Sequence, residues 1–357
     1  MMSMRVLVTG GAGFVGSSLA VWLRRQHPTW EVVAFDNLKR RGSELTLPRL
    51  GKAGVRFVHG DVRVAEDFES VGAIDLLLEC SAEPSVLAGL SGSPAYVLQT
   101  NLGGTIQCLE HARRCRAAML FLSTSRVYPI RQLADIPLRE METRFEIDAA
   151  APGRPGLSVS GVAEEFSLDG ARSIYGATKL ASELLIQEYA EAYGLPSIID
   201  RCGVLAGPWQ MGKVDQGVVT HWVVSHVLGR PLRYIGYGGT GKQVRDVLHV
   251  DDLARLVDKQ IEGIAVARAT VYNVGGGVDC SVSLRELSAL CIKATGSEVP
   301  LEGVPDTRTA DVPFYATDAR KVRERFAWRP EFTPQQIVDD VAKWVNAHRD
   351  ALVAALG

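Results

Sequence analysis

The apolar positions in the first two hundred residues fall into short runs rich in β-branched side chains: Arg5–Thr9, Glu31–Phe35, Arg56–His59, Asp75–Ser81, Met119–Ser125 and Ser197–Leu205. Between these runs, apolar residues recur at helical spacing. A run that is apolar on both faces is buried on both faces, so its alternation with helices predicts a parallel sheet covered on each side. The expected fold class is α/β, a doubly wound parallel sheet of the Rossmann type. After Leu205 the texture changes to segments such as Gly207-Pro208-Trp209-Gln210 and Gly236-Tyr237-Gly238-Gly239. That shift predicts a smaller substrate-binding lobe. The expected division is 1–204 for the sheet domain with 243–265 returning to it, 205–242 and 266–333 for the lobe, and 334–357 for a terminal helix. Ile337, Val341 and Trp344 give that helix, drawn from Pro334 to Leu352, an apolar packing face.

Composition excludes several classes. The 357 residues are 46% hydrophobic and 22% charged with a formal net charge of −2. Such a chain can bury a core without staples, and it has no basic field to attract nucleic acid or an anionic membrane. Cys80, Cys108, Cys115, Cys202, Cys280 and Cys291 are scattered through mostly apolar runs, without zinc-site spacing or the density of a disulfide scaffold. They are expected to be reduced and buried. No signal-peptide pattern opens the sequence, and no apolar run approaches the ~20 residues of a membrane span. A cytoplasmic protein with neither membrane nor nucleic-acid partner is the expectation. His221, His226 and His249 lack metal-ligand spacing and any evident carboxylate partner, so they are read either as structural or as supports behind the site residues, with no metal site.

Directly after the first strand comes Thr9-Gly10-Gly11-Ala12-Gly13-Phe14-Val15-Gly16, followed by a helix. Gly10, Gly13 and Gly16 suit a tight turn, close approach of backbone to a pyrophosphate, and helix–strand contact, while the helix N-terminus offers free N–H groups to phosphate. Asp36 ends the next strand at the ~20-residue spacing of a dinucleotide site. Its carboxylate would accept the adenosine ribose hydroxyls and repel a 2′-phosphate, which favours NAD over NADP. Lys39-Arg40-Arg41 admits two readings, a 2′-phosphate site or a solvated loop, and the loop is preferred. Asp61-Val62 fits an adenine contact, and Ser81-Ala82 lets backbone approach the nicotinamide-side ribose.

Further along, Ile174-Tyr175-Gly176-Ala177-Thr178-Lys179 places Tyr175 and Lys179 on one helical face, and Ser123-Thr124-Ser125 ends a strand of the same sheet. A phenol of pKa ~10 is a poor base at neutral pH, and an adjacent ammonium favours its phenolate. Tyr175 could then take the proton of a sugar hydroxyl whose oxygen Thr124 holds.

These motifs resemble the extended short-chain dehydrogenase/reductase family of nucleotide-sugar epimerases and dehydratases, over nearly the whole chain. Val214-Asp215-Gln216-Gly217, Gly241-Lys242-Gln243-Val244-Arg245-Asp246-Val247-Leu248-His249 and Ser123-Thr124-Ser125-Arg126-Val127-Tyr128 resemble its CDP-paratose (CDP-tyvelose) 2-epimerase branch. The resemblance implies Thr124, Tyr175 and Lys179 as the catalytic set, with Asn101 ordering the helix beneath. It extends the cofactor set to Phe14, Val15, Asn37, Ser123, Cys202 and Val204. It implies substrate contacts at Ser85, Thr124, Arg126, Lys213, Gln216 and Gln243, with Arg245 and Arg308 gripping a diphosphate. Tyr237 either stacks on the base or packs in the core. Related 4,6-dehydratases follow the threonine with Asp-Glu, whereas Ser125-Arg126 stand here, a pair unsuited to eliminating water. Glu79, Glu83, Pro84, Pro129 and Val204 depart from the commoner pattern and leave the sugar open.

The expected activity is epimerisation of a nucleotide-activated sugar, at C2 and on a CDP-hexose, by transient oxidation and hydride return, in a homodimer. A 4-epimerase or net dehydrogenase is the first alternative, and a dinucleotide-sensing protein without catalysis is the second. The irregular 129–172 insert is read as either a lid or a surface excursion.

Overall fold

The computed structural model describes residues 3–90, 92–151, 153–212 and 216–356. Its centre is a seven-stranded parallel sheet with the order 268–274, 197–202, 118–124, 76–79, 5–9, 31–36 and 56–59. The first five of these strands in the sequence are β1 (Arg5–Thr9), β2 (Glu31–Asp36), β3 (Arg56–His59), β4 (Leu76–Glu79) and β5 (Ala118–Thr124). Each face of the sheet is sealed by a separate core. Val6, Val8, Leu78, Leu120 and Ile198 pack under the helices Phe14–Gln26 (α1) and Val250–Gly263. Leu7, Phe35, Leu77, Phe121 and Ile199 pack under Gly104–Cys115 and Ile174–Tyr193. Side chains alternating between two apolar cores explain why these strands read as continuous apolar runs.

The run expected to extend from Ser197 to Leu205 is two strands. It breaks at Gly203, where a Cβ would come within 2.9 Å of Asp246 Oδ1, and Val204–Ala206 crosses to a second, four-stranded sheet with Val244–His249, Ser281–Ser283 and Phe314–Tyr315. Arg268–Val274 is an edge strand of the large sheet, paired in parallel with Ser197–Cys202. The expected boundary at 266, which put this segment in the smaller lobe, is therefore corrected. A third core of Trp222, Val223, Leu232, Leu287, Ile337, Val341 and Trp344 holds the lobe and the terminal helix together. That helix stops at Ala347; His348 (φ −121°, ψ 21°) separates it from a second helix, Arg349–Leu356. Among the described residues, no helix is long and apolar enough to cross a membrane.

The 129–172 insert has little regular structure, but it is knitted into the molecule. Val162 N donates to Ala316 O at 2.8 Å and Asp318 N to Val162 O at 2.9 Å. Leu133, Ile136, Val162 and Phe166 share a core with Val127, Tyr128, Val312 and Tyr315.

Candidate active site

The chemistry-bearing residues gather at the C-terminal ends of the parallel strands, where an open α/β sheet presents its crevice. After β1 the chain turns at Gly10 (φ +62°), and Gly13 N donates back to Gly10 O at 2.9 Å. α1 then starts with no side-chain cap and no acidic residue in its first turn, leaving its N–H groups for an anion. A Cβ on Gly16 would lie 2.2 Å from Gly10 O, so the helix can approach the turn only through glycine. A Cβ on Gly13 would meet only Gly10, at 3.0 Å. Phe14 and Val15 are the helix's first residues. This uncapped cradle suits the diphosphate of a dinucleotide.

Asp36 faces the same turn. Its Oδ2 accepts from Ala12 N at 3.2 Å and its Oδ1 from Leu38 N at 2.8 Å, while burial pushes its carboxyl above the usual range. Asn37 Nδ2 donates to Asp61 Oδ2 at 2.9 Å. Hydrogen bonds from Arg63 hold the Asp61 carboxyl well below its ordinary value. Val62 packs on Gly104, where a Cβ would come within 2.8 Å. The basic run is tied to neighbouring segments by its side chains. Arg40 bonds Gln216 Oε1 and, at 2.8 Å, Met211 O; Arg41 donates to Ala354 O at 2.7 Å; and Lys39 Nζ lies 5.1 Å from the Tyr96 ring centre.

After β4, the Ser81 hydroxyl is buried without a hydrogen-bond partner among the described residues, and Ala82 leads into a loop fixed by Asn101. Asn101 Oδ1 accepts from Glu83 N at 2.7 Å, and its Nδ2 donates to Glu83 O and to Thr178 Oγ1, each at 3.1 Å. One amide thus ties the loop to the residue before Lys179. Ser85 Oγ accepts from Leu87 N at 3.2 Å.

β5 ends at Thr124. Strand alternation turns Ser123 the other way, and its hydroxyl donates to Glu183, which is itself paired with Arg201 at 2.7 Å in a buried ion pair. The expectation that Ser123 also faces the crevice is corrected accordingly. Ser173 caps the long helix through Gly176 N at 3.1 Å. Gly176 lets that helix touch the Thr124–Arg126 turn, since a Cβ there would lie 2.2 Å from Arg126 O. This contact brings the Tyr175 phenol near the Thr124 hydroxyl, which favours the ionised phenol by hydrogen bonding. Burial pushes the phenol up to about 12, opposed by that hydrogen bond and by the charge of Arg126. Lys179 is 2% exposed, its Nζ 3.9 Å from the Phe121 ring centre. Burial drives its pKa down, and the charge of Glu79 opposes the fall most. Cys202, at the end of the neighbouring strand, also faces this ammonium.

Beyond Thr124 opens a cavity of about 810 Å³, lined among others by Arg126, Val204, Gln216, Gln243, Arg245 and Arg308. Arg245 Nη2 reaches Asp311 Oδ1 at 2.6 Å and Val312 O at 2.7 Å, and Arg126 Nη1 donates to Ala310 O at 3.2 Å. Burial and the nearby Arg245 bring the Arg126 guanidinium down to about 10. Three arginines on one wall suit a multiply charged anion. Gln243 Nε2 donates to Ile235 O at 2.9 Å. Tyr237 stands near the same arginines, edge-on to Phe145 at 6.3 Å. Lys213 lies outside the described residues.

Val86, Leu87 and Trp222, which no motif marks, also line the cavity, as does His221, which the sequence did not place in the substrate site. Only their neighbours carried motifs. The reading of His249 is corrected: its Nε2 lies 3.2 Å from Asp340 Oδ2, a partner brought by the terminal helix. His226 Nδ1 is 2.7 Å from Ser297 O. Among the described residues, no group of three or more His, Cys, Asp or Glu side chains is placed to hold a metal ion.

The chain is similar to known proteins over nearly its whole length. The chain is 28% identical to the CDP-paratose 2-epimerase of Salmonella typhi, over 96% of this chain and 100% of that one. It is 29% identical to the dTDP-glucose 4,6-dehydratase of Mycobacterium tuberculosis strain H37Rv, over 92% of this chain and 89% of that one. The crystal structure of the Thermus thermophilus UDP-glucose 4-epimerase in complex with NAD superimposes with a TM-score of 0.73 at 26% identity, covering 96% of this chain and 99% of that chain. The model of the NAD dependent epimerase/dehydratase family matches residues 6–275, and the chain belongs to that family.

Proposed function

We propose that this member of the family is an epimerase of a nucleotide-activated sugar, inverting C2 of a CDP-hexose. The observation that carries the epimerase reading is the turn after Thr124. A guanidinium, Arg126, lines the cavity and acts by its charge on the Tyr175 phenol, where elimination of water needs an acid and a base. The preference for C2 and for CDP rests on the likeness to the Salmonella typhi enzyme.

In this reading Gly10–Gly16 and the start of α1 hold the NAD diphosphate, Asp36 the adenosine ribose, and Ser81 and Lys179 the nicotinamide side. Bound NAD supplies the electron acceptor and, once reduced, the donor. Tyr175 removes the proton from the C2 hydroxyl, and Thr124 keeps that oxygen in line. Arg245 and Arg308 hold the diphosphate while the keto sugar presents its other face, and Tyr175 then returns its proton to the new alcohol. No net redox occurs, so the cofactor stays bound through turnover.

A homodimer belongs to the same proposal, with exposed Ile106 and Leu184 on the helices that would pair. Incubation with CDP-, UDP-, GDP- and dTDP-hexoses, followed by NMR of the sugar protons, tests the assignment. The expected product is a C2 epimer from a CDP-hexose. A C4 epimer, a 4-keto-6-deoxy sugar or stoichiometric NADH would each replace it with a different reaction.

A further inference from the structure

Glu79 carries a carboxyl group where a carboxyl is costly, and the mechanism above does not use it. It ends β4, is 0% exposed, and pairs in register with Thr9 on β1 and Phe121 on β5. Thr105 Oγ1 donates to its Oε1 at 2.7 Å, while Oε2 is buried with no hydrogen-bond partner among the described residues. A half-satisfied buried carboxylate is destabilising unless a charge compensates it. That charge is Lys179, equally buried, whose ammonium sits over the ring of Phe121, the residue beside Glu79 in the sheet.

Other groups also face this ammonium. Cys80 just after β4, Cys108 on the helix Gly104–Cys115 and Cys202 on the strand Ser197–Cys202 are thiols that burial keeps protonated, the first pushed up to about 12. Glu183, one turn along the same helix, is paired with Arg201 and accepts from Ser123. Lys179 is the cation that acts on Glu79. Buried lysines lose their proton readily, and an amine would not stabilise a phenolate.

We propose that Glu79 is a positioning residue for the Tyr175–Lys179 pair, a counter-charge set behind Lys179 that keeps it an ammonium in its buried site. The inference rests on the proposed role of Tyr175 and Lys179 but is separable from it. Burial places the Glu79 carboxyl at about 7, so the counter-charge develops as pH rises through neutrality.

Glu79→Gln removes the charge and retains an oxygen for Thr105. A thermal double-mutant cycle with Lys179→Met tests the charge coupling in the whole protein without substrate. At pH 8 the change in Tm caused by Glu79→Gln should be more negative in the natural chain than in the Lys179→Met background, by ~2 °C or more. At pH 5.5 the two changes should converge. Equal changes at both pH values would mean that Glu79 serves only as the acceptor for Thr105, and would overturn the proposal.

Turnover of the CDP-hexose should respond in parallel. Glu79→Gln should match the natural enzyme below about pH 6 and lose ~10-fold in kcat/KM above about pH 8, one unit to each side of the carboxyl's midpoint. Glu79→Asp should restore much of the alkaline activity. If Tyr175→Phe is inactive while Glu79→Gln follows the natural profile at every pH, this inference fails and the catalytic reading stands. If Tyr175→Phe remains active, the reading itself fails.

Discussion

Alanine at Gly13 and alanine at Gly16 separate what the first loop does for the fold from what it does for the dinucleotide. At Gly13 the backbone (φ −73°, ψ 172°) is open to any residue, and an added Cβ would meet only Gly10, at 3.0 Å from its carbonyl oxygen. The folding cost should stay below ~1 kcal/mol. The methyl group nevertheless stands at the uncapped start of α1, where the proposed diphosphate takes its N–H donors. Losing one charge-assisted hydrogen bond there costs about 1.5–3 kcal/mol, a 10- to 100-fold weakening of NAD binding. At Gly16 the added atom would lie 2.2 Å from Gly10 O, 2.8 Å from Gly10 C and 3.0 Å from Gly11 Cα. All three are backbone atoms, so α1 itself must shift. Overpacking of this kind costs about 1–3 kcal/mol and misplaces the same donors. Calorimetric titration with NAD and thermal melts should therefore show Gly13→Ala folding normally and binding weakly, and Gly16→Ala impaired in both. Natural NAD affinity in Gly13→Ala would refute the placement of the diphosphate.

Other consequences are open to similar tests. Tyr175→Phe should cut kcat by about 10²–10⁴-fold, the range for a positioned acid–base group, with NAD still bound to the purified protein; a fall of less than tenfold would contradict its role. Arg245→Met should raise KM more than it lowers kcat, since it removes the guanidinium assigned to the diphosphate and frees Asp311; an unchanged KM would move the diphosphate elsewhere. Glu183→Ala leaves Arg201 buried and unpaired and should cost about 3–5 kcal/mol of stability by denaturant unfolding. The Asp36 carboxyl is raised by burial, so it gains its proton at a higher pH than an ordinary aspartate. NAD affinity should fall on acidification from above the usual aspartate range, and Asp36→Asn should flatten that dependence; parallel curves would remove Asp36 from the ribose site.

Local signals made the sheet and its crevice legible. β1 to β5 pair in the positions that their apolar runs indicated, because a strand buried on both faces carries its burial in its own composition. The glycine turn, Asp36 and Tyr175…Lys179 were legible for the same reason, each being a short motif with fixed spacing. What escaped depends on partners distant in sequence. Arg268–Val274 joins the large sheet only by pairing with a strand seventy residues earlier, and nothing within its seven residues records that. The 129–172 insert looks irregular because its order comes from Asn273, Ala316 and Asp318. Ser123 and Thr124 are adjacent hydroxyls in the sequence, but the pleat sends one to Glu183 and the other to Tyr175. Glu79 stood out only as a departure from pattern, since its place near Lys179 depends on β4, β5 and the long helix being assembled first.

In the proposed reaction the same hydride leaves C2 and returns to it within one bound complex. A CDP-hexose deuterated at C2, turned over in ordinary water and followed by NMR and mass spectrometry, measures this directly. The expected product is an epimer that keeps its deuterium at C2, with no label appearing in solvent. Deuterium lost to water during inversion would show that the carbon is inverted by proton exchange, and would contradict it.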